Sequence, residues 1–212
     1  MVCWVGYGLA ADNKRWRDRS MNAVMTGYRQ RWMLQMLERE NRMLDINILG
    51  NLLNGAAFFA STAILAVGGL FALLGATDKA IEILSDLPLA VETPRSVWEM
   101  KVLLLIAILV FAFFKFAWAF RLFNNCSVLI GAAPAATSDD PEGKVVAERA
   151  ARINALASRH FNQGLRAYYF TMSGLAWFVH PAFFMVAATW VIFVLYRRDF
   201  RSRSLRIVRD PL

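Results

Sequence analysis

Two long apolar runs constrain this chain more than any other feature. Leu52 to Ala76 (LLNGAAFFASTAILAVGGLFALLGA) carries no charge, and Val102 to Phe120 (VLLLIAILVFAFFKFAWAF) is broken only by Lys115. A helix rises about 1.5 Å per residue and the hydrocarbon core of a bilayer is about 30 Å thick, so roughly 20 apolar residues cross it. The expected fold class is therefore all-α: a polytopic helical membrane protein with two full spans, a third apolar stretch split by proline, and amphipathic helices in the cytoplasm or at the interface. Only 19% of the 212 residues are charged, against about a quarter in soluble domains. The net charge of +8 comes from Arg and Lys placed outside the apolar runs. That placement points to anionic lipid headgroups as partners, and not to nucleic acid.

The chain reads as one membrane domain in seven parts. Residues 12–48 form a basic amphipathic helix. Ser20 caps it, and Met21, Val24, Met25, Tyr28, Trp32, Met36 and Met43 recur at helical spacing opposite Arg29, Arg31, Arg39 and Arg42. Glu38 and Arg42 are spaced for an i,i+4 pair, and the helix is expected to run straight into the first span, 49–76. An acidic connection, 77–100, leads to the second span, 101–121. A cytoplasmic loop and a further amphipathic helix fill 122–160, a split apolar stretch fills 161–196, and a basic tail fills 197–212. Met1 to Ala11 is apolar but too short to span, and reads as the end of a membrane helix whose upstream part is missing, with a short interfacial anchor as the alternative.

As one helix, Leu165 to Tyr196 would be about 48 Å long, beyond the hydrocarbon thickness. Two arrangements fit it: a hairpin turning at His180-Pro181, or a single tilted helix kinked at Pro181. Basic residues favour the hairpin. Those before the first span and those of the tail (Arg197 to Arg209) then share the cytoplasmic side of a bacterial inner membrane, as the positive-inside rule asks.

Few polar groups lie at membrane depth. Lys115 either snorkels to the headgroups or faces the bundle interior, where Asp45 is its nearest carboxylate in depth. Asn47, Asn51 and Asn54 form one helix stripe. With Lys115, Arg121, Asn124, Asn125 and Asp45 they are expected to gather near the cytoplasmic leaflet, where a polar vestibule is the candidate site. Amides at such depth more often bond between helices. Ala56, Ala60 and Ala63 allow close helix approach. Cys3, Cys126, His160 and His180 show no metal-ligand spacing, so neither a metal nor a cofactor is expected, and no catalytic site is marked by any motif.

Four blocks carry a family resemblance: RWMLQMLERENRMLDINILGNLLNGAAFFAST, FAFFKFAWAFRLFNN with the nearby GAAP, HFNQGLRAYYF, and LYRRDFRSRS. They match in order over Trp4 to Arg203, and the chain resembles the bacterial form of the "domain of unknown function 599" membrane proteins. The resemblance implies four or five membrane helices, the first ending near Trp4-Val5-Gly6-Tyr7. It implies no activity. Three functions compete: a helical membrane protein that oligomerises or docks on a membrane-protein partner, a channel or transporter for a small anion or polar solute, and a membrane enzyme, for which only scattered polar residues speak.

Overall fold

The structure, a computed structural model, describes residues 6, 20–86, 91, 93–135 and 140–209. The expected helix end at Met1 to Ala11 therefore lies almost wholly outside the described residues. Among the described residues there is no strand, and seven α-helices of six residues or more follow one another: α1 (Met21–Leu37), α2 (Met43–Gly75), α3 (Thr77–Ser85), α4 (Arg95–Ala132), α5 (Pro141–Leu175), α6 (Pro181–Phe200) and α7 (Arg203–Arg209), with a 3-10 turn at Ala176–Phe178 between α5 and α6. Three of them are long and apolar enough to cross a membrane: α2, α4, and α6 with its continuation through α7. This is the pattern of a membrane protein.

Local chemistry sets several helix ends. The Ser20 hydroxyl accepts from the Ala23 N–H at 3.4 Å, and the Asp140 carboxylate accepts from the Gly143 N–H at 2.7 Å. Both satisfy donors that a helix start leaves unpaired. Pro141 and Pro181 sit in the first turns of α5 and α6, where a missing N–H costs nothing. His180 caps α6 through its ring, Nδ1 accepting from the Ala182 N–H at 3.0 Å.

Four expected boundaries move. The basic helix does not run into the first span: it ends at Leu37, and residues 38–42 break the chain before α2 begins. No glycine or proline signals this break. It is held by long-range contacts, and the Glu38–Arg42 pair is lost because Arg42 reaches elsewhere. The acidic connection contains helix α3, and α4 begins within it at Arg95. The second span continues to Ala132, so Asn124 and Asn125 stand with Arg121 on the helix and not on the loop after it. The expected boundary at residue 160 does not exist, because α5 passes through His160 unbroken for 35 residues.

Helix α4 is the spine, with α2 against one side and α5 against another; α1 packs on α5, and α6 folds back along α5. On α2 the buried residues Leu49, Ala56, Ala63 and Leu70 recur every seven. A seven-residue repeat is the signature of left-handed, coiled-coil-like packing, and small residues at the seam bring the backbones close. Ala60 is half-buried beside them. On α5, Gly164 faces the Phe116 ring and Gly174 faces Leu105 so closely that a Cβ would collide at either position.

The core has three levels. One end joins α1, the start of α2, the end of α4 and the start of α5 around Met33, Met36, Leu49, Phe123 and Cys126. The middle is aromatic, with Phe59 stacked on Phe116 at 5.4 Å and Phe161 edge-on to both. The far end gathers Leu70, Trp98, Leu105 and Leu109 beneath α3. The chain reverses at residues 176–180 instead of continuing as one kinked helix. Arg166 on α5 and Asp199 on α6 lie 3.7 Å apart, and Arg198 sits 5.6 Å above the Tyr169 ring. The turn lies at the same end as the α3–α4 connection, since Val91 N–H donates to the Val179 carbonyl at 3.3 Å. The basic helices α1 and α7 meet: the Tyr28 hydroxyl donates to the Val208 carbonyl at 3.2 Å.

Candidate functional site

The polar residues at membrane depth fall into an internal knot and an external stripe. The knot lies where α1 hands over to α2. Asp45 is fully buried. Its Oδ1 accepts from the Trp32 indole N–H at 2.6 Å and from Arg39, with which it forms a close ion pair, while Oδ2 has no hydrogen-bond partner. A carboxylate without water is tolerable only when paired, so Arg39 and Trp32 are what keep Asp45 in this position. Three residues further along, Arg42 spans to the end of α4 and donates to the carbonyls of Ile130 (3.1 Å), Ala133 (2.6 Å) and Pro134 (2.7 Å). It thereby gives donors to the Ala133 and Pro134 carbonyls just past the helix end and a second donor to Ile130, which already accepts from the Ala133 N–H, where the partial negative charge of the helix dipole favours a cation.

Lys115 is not part of this knot. Phe59 of α2 stacks on Phe116 of α4, so Lys115 lies level with residues near Phe59. That is fourteen residues, about 21 Å, from Asp45 along α2. The half-buried ammonium instead sits 5.2 Å above the Phe111 ring, a cation–π contact on its own helix.

The remaining vestibule residues share a level but not a cavity. Asn47, Asn51 and Asn54 are exposed on α2, and Arg121, Asn124 and Asn125 are exposed on α4. At roughly 100° per residue, Arg121 and Asn124 point some 120° and 180° away from Lys115. The apolar core fills the space between the helices at this level.

The external stripe extends well beyond the asparagines. Asn47, Asn51, Asn54, Phe58, Ser61, Leu65, Gly68 and Ala72 are all exposed, and they alternate in steps of four and three along the whole of α2. They lie opposite the buried Leu49, Ala56, Ala63 and Leu70. The helix therefore has two seams of the same period, one occupied by α4 and one open.

A family model described as "Protein of unknown function, DUF599" matches residues 1–204. The chain belongs to that family. No curated protein and no solved structure matches it significantly. In this DUF599 member, several polar groups with structural work to do are weakly marked in sequence. Lys101 reads as an ordinary flank of the second span, yet it is buried. It donates to the Trp177 carbonyl at 3.2 Å and lies 5.3 Å from the Trp177 ring, tying α4 to the α5–α6 turn. Asn154 looks like one polar residue of an amphipathic helix, but it is fully enclosed and its amide points at the Cys126 sulfur, 3.8 Å away. Arg29, expected on a solvated basic face, is half-buried with Nη1 enclosed and unbonded, and burial lowers its pKa from the ordinary guanidinium value. Among the described residues no cluster of His, Cys, Asp and Glu could hold a metal ion.

Proposed function

We propose that this protein works by helix docking in a bacterial inner membrane, and that the open seam of α2 receives the α2 of a second copy. The observation that carries this reading is the exposed Asn51–Asn54 pair on a helix apolar enough to span. Lipid tails offer an amide neither a donor nor an acceptor, so amides facing outward at such depth call for a protein partner. A carboxamide has both functions and can pair with its own copy. Two copies inserted with the same topology place their α2 helices parallel, related by an axis along the membrane normal. Asn51 then meets Asn51 and Asn54 meets Asn54. Ser61, Gly68 and Ala72 lower the seam so that the backbones can approach. The basic helices α1 and α7 lie together at one end, which the positive-inside rule assigns to the cytoplasm.

The test is oxidative cross-linking in native membranes, with Cys3 and Cys126 replaced by serine or alanine. Ser61→Cys on the seam is expected to give a dimer. Phe71→Cys, exposed at 55% but about 80° round the helix from Ser61, is expected to give none. Asn54→Leu should weaken dimerisation about threefold to thirtyfold, since an interhelical amide contact contributes about 0.6–2 kcal/mol. Equal cross-linking at Ser61 and Phe71 defeats the proposal, as does a dimer untouched by Asn54→Leu with Asn51→Leu.

A further inference from the structure

We propose that the groove between the end of α6 and helix α7 is a binding site for the phosphate of an anionic phospholipid headgroup. The groove, about 340 Å³, is lined by Phe200, Arg201, Ser202, Leu205, Arg206 and Arg209. Among the described residues that line it, every charged group is a guanidinium. Arg201 and Arg206 are exposed, and among the described residues neither forms an ion pair. The nearest acid on the same helix, Asp199, is already committed to Arg166 and Arg198. Guanidinium groups present forked donors that match the oxygens of a phosphate ester.

The groove is built and not merely a charged tail. The Ser202 hydroxyl accepts from the Leu205 N–H at 3.1 Å and starts α7. Leu205 is buried. The Tyr28 bond to the Val208 carbonyl holds α7 against α1. Arg201 leans on the Tyr196 ring at 5.9 Å. Depth favours a lipid over a soluble ligand. The apolar part of α6 ends at Tyr196, and Arg201 follows about 7 Å further along the axis. The headgroup layer occupies about that distance beyond the hydrocarbon. Ile207, 72% exposed on α7, is placed to touch the acyl boundary, as the apolar face of an interfacial helix does.

Binding of phosphatidylglycerol to the purified full chain, counted by native mass spectrometry against phosphatidylcholine, tests the site. The double variant Arg201→Gln, Arg206→Gln is expected to bind phosphatidylglycerol about thirtyfold more weakly, from about fivefold for each arginine near a lipid surface. A charge-matched control at the opposite end, Lys79→Gln with Arg95→Gln, is expected to bind as the native chain does. An unchanged thermal midpoint for the double variant shows that the loss is local. Three results would overturn the proposal: full phosphatidylglycerol binding by the double variant, an equal loss in the control, or complete displacement by matched concentrations of glycerol phosphate, which would make the ligand a soluble ester.

Discussion

Replacing Gly164 by alanine sets two opposing effects against each other in the middle of the bundle. Alanine is the better helix former by about 1 kcal/mol, so in open space the change stabilises α5. Here a Cβ would lie 2.7, 2.8 and 2.9 Å from Cε1, Cζ and Cδ1 of Phe116, while carbon atoms rest at about 3.5–4 Å. The ring has nowhere to go. Phe116 is fully buried, Phe59 stacks on it at 5.4 Å, and Phe161 meets it edge-on at 5.5 Å. Overpacking of a filled core costs about 1–3 kcal/mol, and three contacts this short place Gly164→Ala toward the upper part of that range. The expected net effect is a loss of roughly 1–2 kcal/mol, read as a lower thermal midpoint in detergent. Phe116→Leu removes the ring edge at its own cost in packing, and in that background Gly164→Ala should turn neutral or stabilising. The two changes are then coupled by about 1–3 kcal/mol. Gly27→Ala on α1, where nothing lies within 4 Å of the added carbon, serves as the control and should stabilise. If Gly164→Ala raises the midpoint as much as Gly27→Ala does, α4 and α5 are further apart than described and the close-packing argument is wrong.

The knot at the start of α2 gives two further expectations. Arg39→Ala should cost about 2–4 kcal/mol, the lower side of the range for orphaning a buried charge, because the Arg39 side chain is 32% exposed. Asp45→Asn should cost less, since a neutral amide needs no cation; thermal unfolding of both variants decides it. Arg42→Ala strips donors from three carbonyls at the end of α4 and should cost about 2–4 kcal/mol, with hydrogen exchange rising first at residues 128–132. Asp140→Ala, which removes the α5 cap, should cost about 1 kcal/mol by the same unfolding assay. In a Cys3→Ser background, Cys126 should resist maleimide until denaturant is added, because it is fully buried; rapid native labelling would show that the α4–α5 contact opens.

Features that depend on a residue and its immediate neighbours were readable along the chain. The two long apolar runs of α2 and α4 are fixed by solvent transfer and helix length, whatever else surrounds them. Ser20 is legible as a cap because its partner lies three residues away, and Pro181 as a point of reversal because it cannot donate. Features whose partners lie far off in sequence were not legible. The break at residues 38–42 contains no helix breaker. It exists because Trp32 and Arg39 turn back to Asp45 while Arg42 reaches carbonyls some ninety residues ahead.

The same division separates the stripe from the vestibule. Periodicity alone places Asn47, Asn51 and Asn54 on one face of a helix. Which way that face looks depends on the opposite face, where Leu49, Ala56 and Ala63 bury against α4 and turn the amides outward. Lys115 is the clearest case. Its cost at membrane depth follows from its charge and can be read from the sequence, but its neighbour cannot, because Asp45 proves to be about 21 Å away along the bundle and already held by Arg39. Sequence thus determined the apolar runs of α2 and α4 and the Ser20 cap, since each is a local balance between side chain and surroundings. Tertiary structure decided which polar groups meet, because that depends on helix rotation and register, which only packing between distant segments can set.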